Sequence, residues 1–265
     1  MRDAVRRLLR PPLTAVVFLT RIPCPRWVGG DPADLARSTA YFPLVGVVVG
    51  LAGGAAVWLA AHAWPPWVAA ALSTAATVRL TGAFHEDALA DACDGFGGGW
   101  EPAQVLAIMK DSRIGSYGGA GLALALLTKV GAVAAIAEAS PGAAVRAVIA
   151  AHALGRSSSL PLIWALPYVR ADEPAGAKSK PFAASVTGAR LAAGSATAVV
   201  VTAVVLAPLG PAAVAAALLL AVVVTAVGGR YFRRRIGGMT GDCLGAANQM
   251  VELATYLLLA SAWLR

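Results

Sequence analysis

The chain has 265 residues, of which 58% are hydrophobic and 14% are charged, and its formal net charge is +8. Average globular chains are about 45 to 50% apolar and about 25% charged, so a soluble protein of this length would carry more charge on its surface. The composition therefore excludes a disordered chain, a fibrous repeat and a secreted disulfide scaffold. It predicts a polytopic membrane protein whose three widely spaced cysteines stay reduced.

The N-terminal segment is basic and contains several prolines. Pro11 and Pro12 interrupt the stretch that follows the first arginines, and no apolar core with a small-residue cleavage site is present. A signal peptide is therefore not indicated. We expect the N-terminal segment to form an interfacial or re-entrant element, and the sequence leaves open whether residues 8–28 cross the membrane.

Seven apolar runs follow, with lengths at or near the roughly 20 helical residues that cross a hydrocarbon core. The predicted fold is all-α: a polytopic integral membrane helix bundle of about seven transmembrane helices plus the N-terminal segment. We expect a single membrane-embedded catalytic domain over residues 1–265. The runs are Tyr41–Ala63, Pro66–Phe84, Gly119–Ala139, Ala143–Leu166, Leu191–Ala207, Ala212–Gly229 and Gly245–Leu264.

Lysine and arginine are concentrated in the N-terminal segment and in three long loops, residues 85–118, 169–190 and 230–244. The tight connections at the other ends of the runs contain neither residue. Because basic loops stay on the cytoplasmic side, the pattern predicts that all long polar loops lie on the cytoplasmic face of the cell inner membrane. Topology and contact with anionic lipid also account for the cluster Arg230–Arg235, and no basic stripe with interleaved aromatics indicates nucleic-acid binding.

The loop 85–118 carries three aspartates at helical spacing, Asp87, Asp91 and Asp94. On a helix they fall within about 60° of arc, so three carboxylates share one stripe and repel one another unless a cation binds. Oxygen ligands favour Mg²⁺ or Mn²⁺ over zinc. The alternative is a solvated polar face near a helix start, where carboxylates interact favourably with the helix dipole. His85 lies off the stripe and is doubtful as a direct metal ligand.

Further polar groups occur in the same loop and in the last one. Lys110, Asp111 and Arg113 stand between two glycine-rich stretches, and glycine lets backbone N–H groups approach a phosphate closely. Asp242 directly precedes the last apolar run. Acids, cations and glycines thus converge on one face. Phosphoryl transfer requires such an arrangement, because metal ions and cations stabilise the phosphate charge.

Two cations, Lys129 and Arg156, lie inside apolar runs. A charge at the centre of a membrane helix costs about 2.5 to 3.5 kcal/mol on insertion scales. Each of these side chains is therefore expected either to have a partner within the bundle or to face a cavity that receives an anionic group. His152 is expected to be a packing residue with a satisfied ring.

Taken together, these motifs resemble those of the cobalamin synthase family, the adenosylcobinamide-GDP ribazoletransferases. The strings that carry the resemblance are Phe18-Leu19-Thr20-Arg21-Ile22-Pro23, Phe42-Pro43-Leu44-Val45-Gly46, the stretch from Thr81-Gly82-Ala83-Phe84-His85 to Asp94-Gly95, Lys110-Asp111-Ser112-Arg113-Ile114-Gly115, and Gly241-Asp242-Cys243-Leu244-Gly245-Ala246. The resemblance implies a membrane enzyme that depends on Mg²⁺. It implies that the enzyme joins adenosylcobinamide-GDP to α-ribazole, or to its 5′-phosphate, and releases GMP.

Carried over residue by residue, the resemblance implies metal ligands at Asp87, Asp91 and Asp94. It implies catalytic roles for Asp94, Asp111 and Asp242, and Asp94 and Asp242 are the candidates for the general base that accepts the ribazole hydroxyl proton. The residues assigned to substrate binding are Lys110, Arg113, Lys129, Arg156 and His85. Ala88 departs from the family, which usually has glycine there, and no role is carried to residues 176–181.

Two other function classes stay open. A CDP-alcohol phosphotransferase also uses aspartates on membrane helices, but its Asp-Gly-x-x-Ala-Arg start is absent, since Asp94-Gly95 continues as Phe96-Gly97. A transporter would place its acids in mid-span at a repeat interface, whereas these acids lie at the ends of spans. The sequence fixes neither the number of metal ions nor whether the chain forms a homo-oligomer.

Overall fold

The structure, a computed structural model, describes residues 2–29, 31–170 and 186–261. Within these ranges the regular elements are helices, joined by short connections and one isolated bridge between Tyr168 and Met239. The α-helices are α1 (Arg2–Leu19), α2 (Pro32–Ser38), α3 (Phe42–Ala60), α4 (Pro66–Thr81), α5 (Phe84–Gly98), α6 (Pro102–Met109), α7 (Ser116–Ala139), α8 (Pro141–Ser157), α9 (Ser159–Ala165), α10 (Gly188–Leu206), α11 (Pro211–Ile236) and α12 (Gly241–Ala260).

Five of the helical segments are long and apolar enough to cross a membrane, which confirms the all-α membrane bundle. They are Pro32–Ala60, Ser116–Ala139, Gly188–Leu209, Pro211–Ile236 and Gly241–Ala260. The predicted run Pro66–Phe84 is also helical, as the 16-residue α4. Six of the seven predicted runs therefore correspond to one helix each, and five of these helices have the length and apolarity of a membrane span. The end of the last predicted run, residues 262–264, lies outside the described residues.

The predicted run Ala143–Leu166 is not one helix, and this prediction is wrong. It divides at Ser158 into the 17-residue α8 and the 7-residue α9. Pro161 has no N–H to continue the hydrogen-bond ladder and is tolerated only in the first turn of a helix, where α9 holds it. The hydroxyl groups of Ser157 and Ser158 donate to the carbonyls of Leu154 and Gly155 and so satisfy the end of α8.

The N-terminal segment forms α1, which is not among the five spanning segments. Residues 5–9 are exposed, whereas Ala15 and Leu19 near the end of the helix are buried. Phe18 stacks on Phe42, with ring centroids 6.0 Å apart. Only the second half of α1 therefore packs against the bundle, and its depth in the membrane stays a prediction.

Glycines on α3 allow α3 and α8 to pack closely. A Cβ on Gly46 would collide with the backbone of α8 at His152, and a Cβ on Gly50 would lie 2.6 Å from Cα of Ile149. Small residues at four-residue spacing let two membrane helices approach each other closely, so that dispersion contacts extend along both backbones. The tight pair α3–α8 anchors one side of the bundle, and α12 packs against the other side of α8.

A sharp turn at Gly82 and Ala83 sets the direction of α5. Both residues have left-handed backbones, with φ of 71° and 60°, and both follow the last turn of α4. The backbone N–H of Arg21 donates to Leu80 O at 2.8 Å, which ties the end of α1 to the same turn. The chain thereby turns from α4 back into the bundle, and α5 packs against α7 and α12. The predicted loop 85–118 is thus largely a packed helix.

The polar segments between the spans gather at one end of the bundle, as predicted. Arg235 at the end of α11 donates to the carbonyls of Phe96 and Gly99 at the end of α5. The backbone of Val169, after α9, pairs with that of Met239, before α12. Three distant parts of the sequence therefore meet on one face. The rest of the predicted loop 169–190, residues 171–185, lies outside the described residues.

Candidate active site

The contact between α5 and α12 brings the acidic motif against the third motif. Gly245 on α12 lies so close to Ala88 on α5 that a Cβ on this glycine would collide with the alanine methyl group. Asp87 and Asp91 flank Ala88 on α5, and Asp242 is in the first turn of α12. The close helix approach therefore places carboxylates from two separate motifs on a common site.

The start of α12 is fixed by a cap and by a cation. Thr240 accepts a hydrogen bond from the backbone N–H of Cys243 at 3.3 Å, which is a helix N-cap. Arg170 lies 3.1 Å from a carboxylate oxygen of Asp242. The bridge between Tyr168 and Met239 carries Arg170 to this position. Sequence reasoning counted Arg170 only as a loop charge, because nothing local links residue 170 to residue 242.

The carboxylates of this site repel one another. Burial and, after it, the nearby charges of Asp242, Asp87 and Asp94 together raise the pKa of Asp91 to about 6, although the positive charge of Arg170 acts in the opposite direction. α5 is not one of the five spanning segments, and the Asp91 side chain is partly exposed, so its carboxyl group can exchange protons with solvent. Three neighbouring carboxylates thus act on Asp91, against one cation among the described residues, Arg170.

A cavity of about 190 Å³ opens beside these acids. Asp87, His85 and Asp242 line its polar side, and phenylalanines from three helices line its apolar side. The phenylalanines are Phe18, Phe42 and Phe84. Phe18 meets Phe84 edge to face, with centroids 5.4 Å apart. The cavity therefore combines an aromatic wall with two carboxylates, which suits a ligand that has an apolar ring and polar substituents.

Asp94 has a different environment from Asp87 and Asp91. Its two carboxylate oxygens accept hydrogen bonds from the backbone N–H groups of Gly115, at 2.6 Å, and Gly118, at 2.8 Å. A Cβ on either glycine would collide with this carboxylate. The glycines predicted to bring N–H groups to a phosphate thus bring them to Asp94. The side chain fixes the start of α7, where the helix dipole favours negative charge.

The residues present fit Mg²⁺ by the chemistry of their donors. Among the described residues, no three His, Cys, Asp or Glu side chains are grouped so that they could hold a metal ion. The predicted cluster of three aspartates is therefore not assembled, because Asp94 is engaged by α7. Mg²⁺ needs only one or two carboxylates together with substrate phosphates. The repelling pair Asp87 and Asp91 provides such oxygen donors.

The second motif lies on the surface. Arg113 donates to Asp111 through its backbone N–H and through its guanidinium, and the shortest contact is 2.6 Å. This pairing lowers the pKa of Asp111 to about 2. Lys110 is exposed and has no ion pair with another described residue. The structure places this motif beside the loop that Asp94 holds, and its catalytic and substrate-binding roles stay predictions.

Lys129 and Arg156 are buried in the bundle interior, at 2% and 1% exposure. Their common partner is Glu252 on α12, whose oxygens lie 3.1 Å from Lys129 Nζ and 3.3 Å from Arg156 Nη1. His152 Nδ1 lies 2.8 Å from the same carboxylate. His152 is thus a satisfied packing residue, as predicted. Lys129 and Arg156 were expected either to have a partner within the bundle or to face a cavity for an anionic group, and the structure shows a partner within the bundle.

A second acid completes this network. Glu86 on α5 lies 3.7 Å from Lys129 Nζ and accepts a hydrogen bond from Gln249 at 3.1 Å. Gln249 in turn accepts from Lys129 at 2.8 Å. The sequence analysis missed Glu252 and Gln249. Their position in the last apolar run could have indicated a buried polar network, because an acid or an amide inside a membrane helix is costly unless it is paired. The substrate-binding roles of Lys129 and Arg156 stay predictions.

Comparison with known proteins identifies the family. The family model of cobalamin-5-phosphate synthase matches residues 11–260. An adenosylcobinamide-GDP ribazoletransferase from Leptothrix cholodnii is 45% identical over 252 residues, which cover 94% of each chain. One of the same name from Ralstonia nicotianae is 43% identical over 272 residues, which cover 99% of each chain. No solved structure matches this chain.

These matches confirm the resemblance found in the motifs. They span the acidic motif on α5, the second motif and Asp242 together, because the matched region covers nearly the whole chain. The matches therefore favour an adenosylcobinamide-GDP ribazoletransferase over the two alternative classes, a CDP-alcohol phosphotransferase and a transporter. The chain belongs to the cobalamin-5-phosphate synthase family.

Proposed function

We propose that this protein is a membrane transferase that joins adenosylcobinamide-GDP to α-ribazole, or to its 5′-phosphate, and releases GMP. Relatives named adenosylcobinamide-GDP ribazoletransferase support the reaction. One structural observation carries the proposal: Asp87, Asp91 and Asp242 approach one another at a cavity, with the cation Arg170 beside them. Phosphoryl transfer depends on positioning and on charges that stabilise phosphate oxygens.

Mg²⁺ is the proposed cofactor, and Asp87 and Asp91 are the residues that would hold it. When bound, the ion would neutralise phosphate charge and offset the repulsion between the two carboxylates. The raised pKa of Asp91 supports this assignment, because burial and the neighbouring carboxylates both disfavour its negative charge and a bound cation would offset both effects. Asp94 is left out of the set, since its oxygens already accept two backbone N–H groups.

Arg170 is the proposed protein cation for the donor diphosphate. Its guanidinium contacts Asp242 at the start of α12, so it stands next to the carboxylates rather than in the exposed loop. Guanidinium groups bind phosphate oxygens through paired N–H donors. Lys110 and Arg113 are further candidates, since both are exposed at the same end of the bundle.

The cavity is the proposed acceptor site. Ribazole is a nucleoside with an apolar aromatic base, which matches the wall of Phe18, Phe42 and Phe84. The sugar would then lie toward Asp87 and Asp242. The 3′-hydroxyl oxygen forms a bond to the cobinamide-side phosphorus, the bond from that phosphorus to GMP breaks, and Asp242 accepts the hydroxyl proton.

The proposed location is the cell inner membrane, with the active site on the cytoplasmic face. The gathering of the basic segments at the same end as Asp87 and Asp242 supports this orientation, since lysines and arginines stay on the cytoplasmic side. The lipid bilayer is the surrounding partner, and no nucleic acid is expected. A homo-oligomer stays a prediction without structural support here.

The experiment combines purified protein with adenosylcobinamide-GDP, α-ribazole and Mg²⁺, and follows both cobalamin formation and GMP release. The wild-type protein should form the two products in equal amounts. Asp91→Asn should abolish turnover while the protein still inserts and purifies normally. The matched control is Glu101→Gln, which removes an exposed acid near the same end and should leave the rate unchanged. Near wild-type turnover by Asp91→Asn would overturn the assignment, and GMP release without cobalamin would indicate hydrolysis instead.

A further inference from the structure

A second and larger cavity lies on the opposite side of α8 and α9 from the active site. This cleft has a volume of about 600 Å³ and lies between the α8–α9 pair, α10 and α11. It shares no lining residue with the active-site cavity. Because α10 and α11 are spanning segments, the cleft faces the hydrocarbon region along most of its length.

The interior of the cleft has few free hydrogen-bonding groups for a polar ligand. Most of its lining is aliphatic, from residues such as Leu162, Val199 and Leu218. Four hydroxyl-bearing residues line it, and three of them already donate to carbonyls of their own helices: Ser157, Ser158 and Thr225. A polar molecule would lose its hydrogen bonds to water there without replacement, which is costly. The body of any occupant must therefore be apolar.

One end of the cleft has the opposite character. Arg230 and Arg233 line it there, one helical turn apart near the end of α11. Both side chains are exposed, and neither forms an ion pair with another described residue. This end is the polar end of the bundle, because Arg235 on the same turn binds the end of α5. The cleft is thus apolar along its length and doubly cationic at its mouth.

We propose that this cleft binds one anionic phospholipid, with its acyl chains between α10 and α11 and its phosphate between Arg230 and Arg233. An amphiphile with an apolar tail and a negative head is the ligand that complements both parts of the cleft. Arginine pairs well with a phosphodiester because its planar group donates two parallel N–H bonds. The basic cluster Arg230–Arg235 is therefore more than a topological signal, since two of its members form a site.

Two other occupants fit less well. A second copy of this chain that packed face to face on the cleft would bring its own Arg230 and Arg233 toward the same two arginines, and like charges repel. A nucleotide would satisfy the arginines, but its sugar and base would face aliphatic walls. The lipid is the occupant that leaves neither charges nor polar groups unmatched.

The test uses the purified full chain and native mass spectrometry in detergent. Phosphatidylglycerol and phosphatidylcholine with identical acyl chains are added in equal amounts, and the lipids retained on the protein are counted. We expect one phosphatidylglycerol to be retained, with a preference over phosphatidylcholine of about thirtyfold. Each of the two arginines is expected to contribute about a fivefold preference for the anionic lipid, and the two factors multiply. The double variant Arg230→Gln/Arg233→Gln should lose this preference.

Arg234→Gln is the matched control, because Arg234 is exposed on the same helix end but does not line the cleft. It should keep the preference. Ala226→Trp, which fills the cleft from α11, should reduce retention of both lipids. Equal loss in Arg234→Gln would overturn the site in favour of general surface charge. Equal binding of glycerol phosphate, which has the headgroup charge but no acyl chains, would also overturn it.

Discussion

Two groups of charged side chains have their acids on α5 and α12, and the groups differ in how their charge is balanced. In the interior group, Glu86 and Glu252 face Lys129 and Arg156, so two acids meet two cations. In the outer group, Asp87, Asp91 and Asp242 face one cation among the residues that the structure describes, Arg170. The interior group is thus balanced in formal charge, and it links α5, α7, α8 and α12. The outer group has surplus negative charge, and the proposed function supplies the missing cation as Mg²⁺.

The difference between the groups also concerns access. Glu252 is fully buried, and its oxygens are used by Lys129, Arg156 and His152. Asp87 and Asp242 line an open cavity. A closed and balanced network resists exchange with solvent, whereas an open and unbalanced one can bind and release ligands. His85 lies between the two groups, because it lines the cavity and interacts electrostatically with Arg156 and Glu252.

The largest expected effect comes from unbalancing the interior group. Glu252→Gln leaves Lys129 and Arg156 without their shared carboxylate, and breaking a buried ion pair costs about 3 to 5 kcal/mol. We expect the yield of folded protein after detergent extraction, and its Tm, to fall strongly. Adding Lys129→Met restores the balance of charge, so the double variant should be more stable than the single one. The exposed Glu138→Gln is the control. A normal Tm for Glu252→Gln would contradict the structural role of this network.

The second largest effect is expected on turnover, without a loss of stability, when an acid of the outer group is replaced. Asp242→Asn removes the proposed general base, and such a group contributes about 10²- to 10⁴-fold to a rate. We expect turnover to fall by that factor while Tm stays at or above the wild-type value, since one of three repelling charges is gone. The measurements are steady-state rates and thermal unfolding on the same preparation. A Tm loss as large as that of Glu252→Gln would show that the two groups do not differ as described.

A third change acts on the helix contact that joins the groups. Gly245→Ala places a methyl group against Ala88, and overpacking of this kind costs about 1 to 3 kcal/mol. We expect lower Tm and lower turnover, because α5 and α12 must separate. Ala88→Gly, added to Gly245→Ala, should recover both, since it removes the methyl group on the other side. Gly131→Ala is the control, as a Cβ there meets nothing within 4 Å. Failure of the double variant to recover would place the defect elsewhere.

The smallest effect is a pH dependence of the metal-free protein. The pKa of Asp91 is about 6 in the folded protein, above its ordinary value of 3.8. The folded state therefore binds more protons than the unfolded state between these values, so stability falls as pH rises from about 4 to about 6 and levels off above. We expect Tm to decrease over this window, to recover on addition of Mg²⁺ at pH 7, and to vary less in Asp91→Asn.

Glu101→Gln, which changes an exposed acid, should keep the wild-type pH profile of Tm. An identical profile in Asp91→Asn would show that the dependence comes from other groups. A Mg²⁺ effect of equal size at pH 4 and pH 7 would argue against carboxylate binding, because a protonated Asp91 competes with the ion.

Much of the fold follows from patterns local to the sequence. Apolar runs identified the spanning helices, and the spacing of Asp87 and Asp91 predicted a shared face on a helix. Both depend only on hydropathy and on the helical repeat. The break at Ser158 was missed because the apolar residues on both sides of it outweigh the polar stretch from Arg156 to Ser159 in the hydropathy of the whole run.

The sequence by itself determined that this protein is a membrane bundle with a small set of acids at its polar end. Only the tertiary structure decided which charges neutralise one another. Glu252 is separated from Lys129 by 123 residues and from His152 by 100, and Asp94 receives its N–H donors from a helix 21 and 24 residues away. Hydropathy and periodicity report on the neighbours of a residue along the chain, whereas the free energy of a buried charge depends on the neighbours that folding brings to it.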